Sequence, residues 1–133
     1  MNRVFADTFY WVALTLPDDA GHERAVQVTA DIVTTEEVLT EYLTFFCEAP
    51  EFLRREVARS AEAILNDPTV HVIPQSHDSF VAGLELYRNR PDKGYSLTDC
   101  ISMQTMRREG ITDALTSDRH FEQEGFRAVL RDF

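Results

Sequence analysis

What most constrains this chain is a recurrence of short apolar runs that stop at acids or hydroxyls, with a helical pattern in each interval. Arg3-Val-Phe-Ala6 closes on Asp7, Asp31-Ile-Val-Thr34 leads into Thr35, Val70-His-Val-Ile73 stops at Pro74, and Ala114-Leu-Thr116 runs into Ser117-Asp118. Runs this short and this apolar read as strands covered on both faces. Parallel strands need a crossover of a dozen or more residues, usually helical. The intervals here are long enough for that. The pattern predicts an α/β fold: a three-layer α/β/α sandwich around a mostly parallel sheet of about 4–5 strands. With 133 residues and no linker or repeat, residues 1–133 are expected to form one domain.

The helices follow from caps and spacing. Thr8 is expected to cap a helix over Phe9–Leu16, which Pro17 stops, and a second helix is expected from about Ala20 to Ala30, with His22 exposed or capping. Thr35 opens a helix over 36–47 with an apolar stripe of Val38, Leu39, Tyr42, Leu43, Phe45 and Phe46. Pro50 starts the next, carrying Phe52, Leu53, Val57, Ala61, Ile64 and Leu65. His71 alternates with apolar neighbours and is expected to be structural. A helix over 78–88 and a turn at Asp92-Lys-Gly94 precede Ser96. Ser96 and Asp99 have the spacing of a capping box, which opens a helix carrying Leu97, Ile101, Met103 and Met106 and ending at Gly110. A helical turn over His120–Gln123 and an edge strand over Phe126–Leu130 complete the expected order.

Composition excludes several classes. No apolar run approaches the ~20 residues that span a bilayer, and the first residues lack the pattern of a secretory leader. Cys47 and Cys100 both fall in predicted helices without a paired framework, so reduced thiols in a cytoplasmic protein are expected. The net charge of -10 argues against nucleic-acid binding by bulk electrostatics alone. Cations bound among clustered acids would offset part of that charge. The basic residues gather in groups: Arg54, Arg55 and Arg59; Arg88, Arg90 and Lys93; Arg107 and Arg108.

Four acids stand where solubility does not explain them. Asp7 and Asp118 each follow an apolar strand, Glu41 borders the stripe of its helix, and Asp99 sits in a first helical turn. Ligands of open α/β sheets bind beyond the carboxyl ends of the strands, where Asp7 and Asp118 emerge. Whether Asp99 joins them is left open, because a simple crossover would put its helix start at the opposite edge. Carboxylates with nearby hydroxyls (Thr8, Ser96, Thr98, Ser117) are hard oxygen ligands suited to Mg²⁺ or Mn²⁺. Such ions can activate a water for attack on a phosphodiester. No G-x-x-x-x-G-K, G-x-S-x-G or H-E-x-x-H stretch competes. A phospho-aspartyl enzyme would want an acid where Phe9 stands and a lysine after a later strand, but the only lysine is Lys93, in the turn. A binding module that docks a basic peptide in the acidic groove, with little or no turnover, is the alternative from another class.

Val4-Phe-Ala-Asp-Thr8, Val33-Thr-Thr with Val38-Leu-Thr-Glu41, Tyr95-Ser-Leu-Thr-Asp-Cys100 and Ala114-Leu-Thr-Ser-Asp-Arg-His-Phe121 together resemble the PIN-domain family, and within it the VapC-type toxins of bacterial toxin–antitoxin pairs. The likeness covers essentially the whole chain, in the family's order. It implies a metal-dependent endoribonuclease whose acidic cluster falls on Asp7, Glu41, Asp99 and Asp118. Asp7 and Asp99 would be the main ligands of Mg²⁺ or Mn²⁺, and Thr8, Ser96 and Thr98 would orient ligands or water. It also implies an RNA substrate, a homodimer, and a cognate antitoxin that inserts a segment, often with a basic residue, into the acidic groove. Phe9 departs from the family, which often has a small residue there.

Overall fold

A computed structural model describes residues 2–130. In chain order it comprises β1 (Arg3–Ala6), α1 (Thr8–Thr15), α2 (His22–Val26), β2 (Asp31–Thr35), α3 (Glu36–Phe45), α4 (Glu51–Asn66), β3 (Val70–Ile73), α5 (His77–Asn89), α6 (Leu97–Glu109), β4 (Asp113–Leu115), α7 (Arg119–Gln123) and β5 (Arg127–Ala128). The strands form one sheet in the order β3-β2-β1-β4-β5, with every pair parallel. Successive residues of a strand face opposite sides of the sheet. Val4, Phe5 and Ala6 are nonetheless all buried, as are Ile32, Val33, Thr34 and Thr35. Both faces of the central strands are therefore covered by helices, which gives the expected α/β/α layering.

Strand order decides where a ligand can sit. From β1 the sheet extends to β2 and β3 on one side and to β4 and β5 on the other. Connections leave β1 and β4 in opposite directions, which opens a crevice at their carboxyl ends. Asp7 immediately follows β1, and Asp118 comes three residues after β4. Phe5, Tyr42, Met103, Met106 and Phe121 are fully buried in the core, and such side chains contribute roughly 1.5–3 kcal/mol each on burial.

Several boundaries differ from the sequence reading, each for a physical reason. Thr8 is the first helical residue and Asp7 holds the N-cap position, without a side-chain capping bond. Instead, the Thr8 hydroxyl donates to Glu41. The helix expected over 20–30 shrinks to α2, because its apolar content is too small to bury a longer one; only Ala25 is buried. His22 donates from Nδ1 to the Ala13 carbonyl at 2.7 Å, tying α2 to α1. On α3 the buried set is Val38, Leu39 and Tyr42, with Phe46 just beyond, while Leu43 and Phe45 face out. Cys47 lies in the turn after α3 and is exposed, whereas Cys100 is buried in α6. Phe52 and Leu65 of α4 are likewise exposed. His71 is exposed on the edge strand β3, and β5 keeps only Arg127 and Ala128 of the expected five-residue strand.

The helix pair α5 and α6 carries Asp99 to its place. Gly83 allows their close approach: a Cβ there would lie 2.4 Å from Ile101 Cγ1. The buried Glu124 side chain collects Arg90, Arg107 and the Tyr95 hydroxyl, joining α5, α6 and α7. Burial alone would raise the Glu124 carboxyl, but these three donors win and hold it at about 2.

Candidate active site

Three of the four acids enter the crevice from helix N-termini, where free amides and the helix dipole favour a carboxylate. Asp7 is the N-cap residue of α1 and Asp118 that of α7, where its Oδ1 accepts the His120 amide at 2.9 Å. Asp99 is in the first turn of α6 and completes a capping box with Ser96: the Asp99 amide donates to Ser96 Oγ at 3.0 Å, and the Ser96 amide to Asp99 Oδ2 at 3.1 Å. The cap thus holds one carboxylate oxygen and fixes the rotamer that faces the other acids. Capping and clustering are both true of Asp99. Glu41, on α3, is held by the Thr8 hydroxyl at 2.5 Å.

The structure brings all four together. Asp118, Asp99 and Glu41, with Thr8 and Ser96, line a cavity of about 370 Å³ whose apolar wall includes Phe9, Val12 and Phe45. Asp7 is 2% exposed and lies within electrostatic reach of Asp99 and Glu41. The edge left open for Asp99 is settled: α5 and α6 together return the chain to the carboxyl ends of the strands. Thr98 and Ser117 are not in this cavity. Ser117 lines a second one with Gly21 and Arg24, which Phe9 separates from the first.

Two residues emerge that sequence reasoning passed over. Thr116 is fully buried; its hydroxyl donates to Asp7 Oδ2 at 2.8 Å and accepts the Asp118 amide at 3.0 Å. Strand alternation carries the signal, since Thr116 and Asp118 fall on one side of an extended chain and Ser117 on the other. His120 places Nδ1 3.3 Å from Asp118 Oδ1 and 3.6 Å from Asp99 Oδ2, with its ring against Tyr95. That Nδ1 is buried and makes no hydrogen bond among the described residues. One ligand atom each from Asp99, Asp118 and His120 lies within 4.8 Å of the others.

The electrostatics of the cluster call for a cation. Burial, then the charge of Asp99, pushes the Asp7 carboxyl up to about 7; the hydroxyl of Thr116 and the amide of Thr8 oppose this only in part, and Glu41 adds to it. Burial likewise raises Asp99, with Asp118 and Glu41 adding to it against the Ser96 amide and His120. Carboxylates that cannot all ionise together are stabilised by a divalent ion among them. A donor set of carboxylate oxygens plus one unbonded imidazole nitrogen fits such an ion.

The comparisons agree with this geometry. The family model for the PIN domain matches residues 4–126. VapC20 of Mycobacterium tuberculosis, a 23S rRNA-specific endonuclease, is 29% identical over 127 residues, covering 92% of this chain and 95% of its own. The crystal structure of that toxin, described as cleaving the sarcin–ricin loop, matches with a TM-score of 0.81 at 28% identity over the same shares of the two chains. Parallel sheet, crevice and matched span together place this chain in the PIN-domain family.

Proposed function

We propose that this chain is an endoribonuclease, the toxin of a toxin–antitoxin pair, which hydrolyses an RNA phosphodiester with Mg²⁺ or Mn²⁺ held by Asp7, Glu41, Asp99 and Asp118. The observation that carries the reading is the convergence of these four acids, from four separate segments, on the crevice at the carboxyl ends of β1 and β4. Four acids at one crevice repel one another unless something cationic binds.

The residues fall into two layers. Asp7 and Asp99 are the main ligands, with Glu41 and Asp118 completing the set, and His120 offers Nδ1 beside Asp99 and Asp118. Thr116, Ser96 and Thr8 hold Asp7, Asp99 and Glu41 in place. A bound divalent ion supplies Lewis-acid polarisation of the phosphate and an activated water. The protein's part is to fix the carboxylate oxygens, to keep one side of the site apolar with Val12, and to leave the cavity open to the scissile phosphate. A module that only docked a basic peptide would have no use for each acid being locked by its own donor, a hydroxyl for Asp7 and Glu41 and a backbone amide for Asp99 and Asp118.

The same acidic crevice suits a basic side chain of an antitoxin, which would compete with metal and RNA. Phe80, Leu84 and Tyr87 leave an exposed apolar face on α5 that a second copy would cover in a homodimer. No helix among the described residues is long and apolar enough to cross a membrane, in keeping with work in the cytoplasm on RNA. Because VapC20 acts on 23S rRNA, ribosomal RNA is the first substrate to try.

The test is digestion of total RNA by purified protein with Mg²⁺, Mn²⁺ or EDTA. Discrete fragments that need the metal support the reading. Intact RNA under every metal, with folded and inhibitor-free protein, would overturn it.

A further inference from the structure

Resting on the ribonuclease reading, we infer that Phe9 and Phe45 form a base-stacking clamp at the mouth of the carboxylate cavity, which takes the unpaired nucleotides on either side of the scissile phosphate. The rings are 50% and 60% exposed, although most large apolar side chains of α1 and α3 are buried. Both line the cavity that holds Glu41, Asp99 and Asp118. Their positions are tied to the acids. Phe45 is one helical turn beyond Glu41, on the same face of α3, and Phe9 follows Thr8, the residue that anchors Glu41.

A phosphate held at the carboxylates therefore has its neighbouring nucleotides within reach of these rings. A divalent ion among the carboxylates would engage only the scissile phosphate, and stacking can hold the nucleotides on either side of it without depending on charge. Every base has a face to offer an aromatic ring. Phe9 also divides this cavity from the second one, of about 410 Å³, which Arg24 lines. Bases paired inside a duplex cannot splay onto both rings, so the substrate class is a loop or a single strand.

The experiment first maps a cleavage site with the native protein in Mn²⁺. It then measures kcat and KM on a synthetic RNA spanning that site, unpaired or annealed to its complement. Phe9→Ala and Phe45→Ala should each raise KM for the unpaired RNA about tenfold, with a smaller change in kcat. Phe9→Trp and Phe45→Trp should restore it, and Phe52→Ala on α4 should leave it unchanged. The annealed RNA should be cut poorly by all. A 2-aminopurine beside the scissile bond should brighten as it leaves its neighbouring bases on binding Asp99→Asn protein, and brighten less when Phe9 and Phe45 are also alanine.

Native-like KM and 2-aminopurine emission in the alanine variants would overturn the clamp while leaving the nuclease intact. So would equal cutting of paired and unpaired RNA. Loss of antitoxin binding with RNA kinetics unchanged would assign the rings to a protein partner. Absence of cleavage by the native protein would instead fail the ribonuclease reading itself.

Discussion

Thr116 donates its hydroxyl to Asp7 at 2.8 Å, so the first residue after β4 holds the acid at the end of β1. The same oxygen accepts the Asp118 amide. One buried side chain thus sets the spacing of two acids from adjacent strands. Thr116→Val keeps the shape and removes both bonds. It should cost about 1–3 kcal/mol of stability and weaken metal binding by roughly 10–100-fold. Urea unfolding and Mn²⁺ titration measure the two effects. Native metal affinity in a folded Thr116→Val protein would deny Thr116 its positioning role.

Asp99 is both a helix cap and a proposed ligand, and two substitutions separate these roles. Asp99→Asn keeps an oxygen that can accept from the Ser96 amide but removes the charge. It should abolish cleavage with little loss of stability. Ser96→Ala removes the hydroxyl that caps the Asp99 amide and should cost about 1 kcal/mol, while retaining measurable cleavage. Full activity in Asp99→Asn would leave the cap as its whole function.

The raised Asp7 carboxyl gives stability a definite pH dependence. In the unfolded chain this group loses its proton near 3.8, whereas in the metal-free fold it keeps it up to about 7. Between those values the unfolded state binds fewer protons, so stability falls as pH rises and levels off above 7. At ~1.4 kcal/mol per unit the loss is a few kcal/mol. Asp7→Asn in EDTA should therefore be more stable than native protein at pH 8, with the gap closing toward pH 4. A gap independent of pH would contradict the shift.

Gly83→Ala tests the packing that delivers Asp99. In an open helix this change is favourable by about 1 kcal/mol. Here the new Cβ would meet Ile101 Cγ1 at 2.4 Å, so the sign should reverse to a loss of roughly 1–3 kcal/mol. Thermal unfolding decides it. A more stable variant would show that α5 and α6 have slack at this contact.

The fold was legible because a buried parallel strand is a nearly uninterrupted apolar run, as in Arg3–Ala6, found at its observed bounds. Val70–Ile73 was also found at its bounds, though it is a half-exposed edge strand marked by its β-branched residues. β5 was overextended because Phe126–Leu130 is apolar without being paired along its length. The four acids were visible because each interrupts an apolar context. Their meeting was not, since the return of Asp99 depends on how α5 packs on α6, a matter of tertiary contacts at Gly83 and Ile101. Thr116 was missed because a threonine in a strand has an ordinary explanation in β propensity. Phe9 stood out in the sequence only as a departure from the family's small residue, and it is exposed at the cavity mouth.

If the carboxylate cluster uses a metal-activated water to break an RNA phosphodiester, the ends of the fragments record it. Attack by water leaves a phosphate monoester on one fragment and a hydroxyl on the other. Attack by the neighbouring 2′-hydroxyl leaves a 2′,3′-cyclic phosphate and needs no metal. End-group analysis of RNA cut in Mn²⁺ should find the monoester and no cyclic phosphate, with both products absent from Asp99→Asn digests. Cyclic phosphate ends that persist in EDTA would rule out hydrolysis by a metal-activated water.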